Sequence, residues 1–123
     1  MIRVIIAGSR EFTDFEYAKK KLEPLFKNIN KDEIEIISGN ARGADKIGEE
    51  WAKFKNYKLS IFPAQWNKFG KSAGYKRNEE MANYAKESET PRLICFWNYE
   101  SKGTKHMIDI AKKLNIKTKI IEF

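Results

Sequence analysis

Five short runs rich in β-branched residues, each separated from the next by a stretch with helical periodicity, constrain this chain more than any other feature. The runs are IRVIIA (2–7), EIEIIS (33–38), KLSIF (58–62), RLICFW (92–97) and KTKIIEF (117–123). Apolar runs of this length read as buried strands. After the first run, Phe15, Ala18, Leu22, Leu25, Phe26 and Ile29 recur at helical spacing from about Asp14, with Thr13 and Glu16 as a capping box and Pro24 expected to kink or interrupt the helix. After the second, Ala44, Ile47, Trp51 and Ala52 share one helical face. An irregular stretch, PAQWNKFGKSAGY, leads into a helix around 76–86 with Met81, Ala82 and Ala85 inward, and Met107, Ile110, Ala111 and Leu114 mark the last helix.

This alternation predicts the α/β class, with a parallel sheet covered on both faces. Right-handed crossovers and one reversal of winding give a Rossmann-like, doubly wound sheet of about five strands in the order 3-2-1-4-5. The switch point then lies between strands one and four. A length of 123 residues with 41% hydrophobic content suits one domain spanning residues 1–123.

The same totals exclude several function classes. The apolar opening, MIRVIIAGSREF, is far shorter than a membrane span and no signal-peptide cleavage pattern follows it, so a cytoplasmic protein without membrane partners is expected. A single cysteine, Cys95, inside LICFW, and a single histidine, His106, leave no disulfide and no Cys/His metal cluster, and no metal site is expected. The net charge of +7 admits nucleic acid as a partner. The nineteen lysines are scattered, however, as at Lys19, Lys20 and Lys21, in the manner of solvated helix faces, and no sequential basic-aromatic array supports single-stranded nucleic-acid binding, which stays a disfavoured alternative. Arginine is more telling. Of five, Arg10, Arg42 and Arg77 fall in or beside glycine-containing loops, where a planar fork can grip phosphate or carboxylate bidentately.

Six of the seven glycines, Gly8, Gly39, Gly43, Gly70, Gly74 and Gly103, lie in segments leaving the carboxyl ends of strands one to four, whereas NINKD and KESETP at the opposite edge contain none. In open α/β sheets ligands bind outside the carboxyl ends of the strands, and Ser9, Arg10, Ser38, Arg42, Lys71, Ser72, Arg77, Lys102 and Thr104 converge there with the glycines. Hydroxyls, cations and helix N-termini suit phosphate and ribose, with Asp45 either accepting from ribose hydroxyls or capping its helix. Trp66, Phe69, Tyr75, Trp97 and Tyr99 flank the same loops, where a base can stack. Two tempting motifs fail. GKS at 70–72 has Gln65 where a Walker A loop needs glycine, and AGSREF lacks the G-x-G-x-x-G dinucleotide fingerprint.

GSR after the first strand, SGNARGAD after the second, then FPAQW, GKSAGYKRNEEM and SKGTKHMI, in that order along almost the whole chain, resemble the YspA-type (cpYpsA-related) branch of the SLOG superfamily. That superfamily is named for the Smf/DprA proteins and the Lonely Guy phosphoribohydrolases, to which this branch is distantly related. The resemblance implies a Rossmann-like nucleotide-binding domain and a nucleotide, NAD- or ADP-ribose-derived ligand. Ligand contacts are expected from Gly8, Ser9, Arg10, Ser38, Gly39, Arg42, Gly43, Asp45, Lys71, Ser72, Gly74, Arg77, Asn78, Lys102, Gly103 and Thr104. The best-understood enzymes of the superfamily cleave the N-glycosidic bond of nucleoside 5′-monophosphates with an arginine on a helix, whose context Arg77 in KRNEEM resembles, and a glutamate following a Gly-Thr turn. Here Gly103-Thr104 is followed by Lys105 and His106, so Asp45, Glu79 or Asp109 would have to supply the carboxylate. The reading is therefore a sensor or sequestering module that binds a nucleotide without a certain cofactor, with N-glycosidase activity as the alternative and Asp45, Arg77 and Glu79 as its catalytic candidates. The resemblance and the exposed aromatics also imply a homodimer.

Overall fold

The computed structural model describes residues 1–123. The five apolar runs form β1 (Ile2–Gly8), β2 (Ile34–Ser38), β3 (Lys58–Ile61), β4 (Thr90–Trp97) and β5 (Lys117–Glu122), all parallel, in the order β3-β2-β1-β4-β5. This is the doubly wound α/β arrangement that the alternation predicts. β1 is central and pairs with β2 on one side and β4 on the other, which puts the switch point at the β1/β4 boundary.

Period-two alternation along the strands divides the interior into two cores. Val4 and Ile6 of β1 point to one face, under α1 (Phe15–Phe26) and α2 (Ala44–Lys55), where Leu22, Phe26, Ile47 and Trp51 join them. Ile5 and Ala7 point to the other face, under α4 (Ala73–Lys86) and α5 (Lys102–Lys113), with Met81, Ala85, Leu93 and Met107. Each fully buried Ile or Leu contributes about 1.5–3 kcal/mol through removal of its apolar surface from water.

Several boundaries differ from the periodicity. Asp14, not Thr13, caps α1, its carboxylate accepting from the Tyr17 amide at 3.0 Å. Pro24 lies inside α1 and the helix ends at Phe26. Asn28, at φ 66°, then turns the chain away, so Ile29 packs on the core from outside the helix. α4 starts at Ala73 because a one-turn α3 (Trp66–Phe69) and a 3-10 turn (Gly70–Ser72) feed straight into it and bury Ala73. Gly74 is consequently a helical residue and not part of a loop. No helix is long and apolar enough to cross a membrane.

Candidate functional site

The site grows from two strand exits locked together by backbone hydrogen bonds. Where β1 ends, the Ser9 amide donates to the Phe96 carbonyl of β4 at 2.9 Å, and the Ser9 carbonyl accepts from the Ala44 amide at the start of α2 at 3.1 Å. Ser9 is fully buried and its hydroxyl donates to Asn98 Oδ1 at 3.2 Å. Ser38, where β2 ends, is also fully buried, with its hydroxyl donating to Glu49 Oε2 at 2.7 Å and accepting from the Asn40 amide at 3.0 Å. These two serines brace the loops from below.

The loop 39–43 passes through a gap that side chains would close. Gly43 takes φ +80° against the backbone of Arg10, where any Cβ would collide. A Cβ on Gly39 would meet Arg77 Nη1 at 2.7 Å and Asp45 Oδ2 at 2.8 Å. Gly43 is required by its φ and by its approach to backbone, while Gly39 leaves room for the ends of Arg77 and Asp45, so that Arg10, Asp45 and Arg77 come together although 67 positions of sequence separate the two arginines.

Asp45 sits one residue inside α2, 5% exposed, with Oδ2 accepting from the Ala41 amide at 3.0 Å. The N-cap position belongs to Gly43, which makes no side-chain cap. Burial pushes the Asp45 carboxyl up to about 6, with Glu49 adding in the same direction, against the opposing pull of the Ala41 amide, Arg77 and Arg10. Arg77, half-buried on α4, donates from Nε to Asn78 Oδ1 at 3.0 Å and from Nη1 to the Gly39 carbonyl at 2.5 Å. Burial and the nearby charge of Arg10 lower its guanidinium, and Asp45 partly restores it.

Two neighbouring spaces with shared walls result. The outer one, an open cavity of about 470 Å³, is lined by Arg10, Arg42 and Arg77 together with the 39–42 backbone, Pro63, Ala64 and Trp66. The inner one, about 70 Å³, reaches down at the β1/β4 switch point between Asp45, Arg77 and Asn78 on one side and Ser101, Gly103 and Thr104 on the other, over Met81 and Met107. Arg10, Ala41 and Arg77 border both.

Asn78 ties α4 to α5. It is 5% exposed, accepts from Arg77 through Oδ1, and donates through Nδ2 to the Gly103 carbonyl at 3.2 Å. The same Nδ2 lies 3.2 Å from His106 Nδ1, so this network makes Nδ1 the acceptor and leaves the proton on Nε2. His106 packs against Tyr75 with ring centroids 4.2 Å apart and planes tilted by 39°, and it borders neither space. The start of α5 is capped by Ser101, whose hydroxyl accepts from the Thr104 amide at 3.2 Å. The Ala44 and Thr104 amides at the starts of α2 and α5 are therefore already engaged within the protein.

Not every residue singled out in the sequence reaches these spaces. Lys71, Ser72 and Lys102 are exposed and border neither, and Ser72 donates to the Phe69 carbonyl at 2.9 Å. Glu79 is exposed on α4 outside both, and Asp109 pairs with Lys105 at 2.9 Å on the exposed face of α5. Among the aromatics, Trp66 lines the outer cavity, whereas Trp97 donates to the Ser101 carbonyl at 3.1 Å and braces the loop before α5. The sequence reading missed Asn40, Ala41, Pro63, Ala64 and Ser101 as wall residues; the Ser-x-x-Thr spacing of a helix start was the available signal for Ser101. No group of three or more His, Cys, Asp or Glu is placed to hold a metal ion. Cys95 is buried, which pushes its thiol far up and leaves it inert.

A hollow of about 750 Å³ also exists at the opposite edge, between the carboxyl ends of α1 and α2, with Glu23 among Lys27, Lys31 and Lys55. Helix C-termini there present carbonyl groups, which disfavour anions. No solved structure matches the chain. Gene 61 protein of Mycobacterium phage D29 is 30% identical over 123 residues, covering 94% of this chain and 93% of that protein. The model of the YspA, cpYpsA-related SLOG family matches residues 2–69, from β1 through α3, which includes both glycine loops and the FPAQW segment lining the outer cavity. With its strand order, its paired loops and a family match over more than half its length, this chain belongs to the YspA, cpYpsA-related SLOG family, which ties it to nucleotide-related ligands.

Proposed function

We propose that the carboxyl edge of the sheet binds a nucleotide or an ADP-ribose- or NAD-derived ligand, and that the protein acts as a sensor or sequestering module. One observation carries this reading. Arg10, Arg42 and Arg77 converge on a single open cavity with no acidic residue in its wall, and none of the three forms an ion pair elsewhere. Three guanidinium groups without a carboxylate partner around one space are the donor set for phosphate oxygens. The exposed face of Trp66 offers a base a surface to stack on, while the inner pocket with Asp45 and Asn78 lies where the sugar would reach.

N-glycosidase action on a nucleoside phosphate or an ADP-ribose derivative is the second reading, favoured by one feature. Asp45, with its carboxyl raised to about 6, lies beside Arg77 in the inner pocket, as a general base or charge-stabilising group would. α5 contributes no carboxylate to that pocket, and Lys105 is committed to Asp109. Binding without turnover therefore takes precedence.

Mass spectrometry of small molecules released from purified protein, with a thermal-shift screen of nucleotides, tests the first reading. Mono- or diphosphate nucleotides or ADP-ribose relatives are expected to raise Tm by mass action. A full screen with no shift and no calorimetric heat refutes it. Chromatography showing base release that Asp45→Asn abolishes promotes the second reading. Oligonucleotide binding with a steep salt dependence would displace both. Light scattering tests the homodimer, for which exposed Trp66, Tyr75, Tyr99 and Phe123 supply apolar surface.

A further inference from the structure

Asp45 and Arg77 both border the inner pocket, yet they make no ion pair with each other. Asp45 is 5% exposed, and its Oδ2 is taken by the Ala41 amide while Oδ1 receives no donor. Arg77 commits Nε to Asn78 and Nη1 to the Gly39 carbonyl, and Nη2 has no acceptor. The two residues that carry this open acceptor and this open donor line one space of about 70 Å³. Side chains with an acceptor and a donor to spare around one space suit an atom that accepts and donates at once. A hydroxyl does both. A phosphate or carboxylate accepts only, and would set a second negative charge against Asp45. The pocket takes a few heavy atoms, too few for a purine ring, and it shares Arg10, Ala41 and Arg77 as walls with the arginine-lined cavity.

We propose that this inner pocket is a hydroxyl-reading subsite, in which Asp45 Oδ1 accepts from, and Arg77 donates to, a sugar hydroxyl of a phosphate ester whose phosphate lies among the three arginines. The inference rests on the anion-binding reading of the outer cavity and narrows its ligand to a ribose-bearing ester, with Asp45 as the specificity-determining residue. The high affinity of the Asp45 carboxyl for its proton, caused by burial, fits a charged acceptor short of donors in the free protein.

Isothermal titration calorimetry with inorganic phosphate, AMP and 2′,3′-dideoxy-AMP tests it on the wild-type protein and on Asp45→Asn. AMP is expected to bind at least about tenfold tighter than the dideoxy compound to the wild type, the scale of a hydrogen bond to a charged group. In Asp45→Asn that ratio is expected to fall to about threefold or less, because an amide that keeps its oxygen on the Ala41 amide turns a donor toward the pocket. Phosphate affinity should be kept or improved, since a nearby negative charge is removed. Equal binding of AMP and dideoxy-AMP to the wild type, alongside measurable phosphate binding, overturns the hydroxyl subsite and leaves the anion site standing. An undiminished ratio in the variant overturns the role of Asp45. Failure of both phosphate and AMP to bind refutes the arginine cavity itself and this inference with it. The wild-type comparison requires no variant to fold, and Asp45→Ser, which retains a hydroxyl acceptor, serves if Asp45→Asn does not.

Discussion

Two buried carboxylates, Glu35 in β2 and Asp45 in the first turn of α2, lie ten residues apart and have opposite fates. Glu35 is fully buried near the amino end of the sheet, and burial by itself would raise its carboxyl. Hydrogen bonds from Ser60, Tyr84 and Arg3, with the charge of Lys58, outweigh that and hold it below its ordinary value. Arg3, its register partner on β1, is fixed in turn by the Tyr84 carbonyl at 2.6 Å and by the Tyr84 ring 3.7 Å away. Asp45, buried nearly as deeply at the carboxyl edge, receives one backbone amide and no ion pair, and burial wins. A carboxylate that is fully satisfied serves the fold, whereas one left short of partners beside a cavity is available to a ligand. The same sheet thus carries a satisfied carboxylate at one edge and an under-satisfied one at the other.

The largest effect should come from breaking the satisfied end. Glu35→Ala leaves Arg3, Tyr84 and Ser60 without their shared acceptor and should cost about 3–5 kcal/mol in urea unfolding. A loss below about 1 kcal/mol would mean that the network is dispensable. The unsatisfied end should respond with the opposite sign. A carboxyl raised from 3.8 to about 6 in the folded state binds its proton more tightly there than in the unfolded chain, so its contribution is complete below pH 4 and is lost as pH rises through 6. Asp45→Asn should therefore stabilise the ligand-free protein by up to about 3 kcal/mol at neutral pH, and the advantage should vanish between pH 6 and 4. A destabilised variant at pH 7 would show instead that the charge is needed to hold the 39–43 loop. Glu35 has the reverse dependence: its contribution is present above the ordinary carboxylate range and is lost only as pH falls through its lowered value.

Smaller effects sharpen the contrast at the ligand. Arg42 is exposed and bonded to nothing in the protein, so Arg42→Ala should weaken nucleotide binding by about 1.5–3 kcal/mol in calorimetry with the thermal transition unchanged. Binding as tight as wild type would remove Arg42 from the anion site. The smallest change belongs to Lys58, 61% exposed and 4.0 Å from Glu35, where Lys58→Met should alter stability by no more than about 1 kcal/mol. A larger loss would make the exposed charge, and not the hydrogen bonds, the reason Glu35 stays ionised.

The sheet was legible because its signal is local. Short β-branched runs, alternating with helical periodicity, fix strand identity through the spacing of apolar residues, and the handedness of crossovers fixes their order. The site was legible in part. Arg10, Arg42, Arg77, Asp45 and Gly103 carry glycine-loop signatures and meet at the two neighbouring spaces, whereas Lys71, Ser72 and Glu79, equally suggestive in GKSAGYKRNEEM, are exposed outside both. Lys71 and Ser72 fall in the 3-10 turn before α4, and Glu79 lies off the inward face set by Met81, Ala82 and Ala85; helix starts are the part that sequence periodicity resolves least.

The sequence by itself determined the parallel sheet, its order and the edge at which glycines and arginines gather, since these depend on chain-local patterns and on handedness. Tertiary structure alone decided what each polar residue became. Ser9 and Ser38 carry the composition of ligand contacts but turned inward as braces, because the strand exits needed donors and acceptors there. Asp45 ends a glycine loop and Glu35 lies inside an apolar run, but neither local pattern says how many donors will reach each carboxylate. Their difference is set by how many donors arrive from other elements: side chains on β1, β3 and α4 for Glu35, and one backbone amide for Asp45, a count that exists only after the chain has folded.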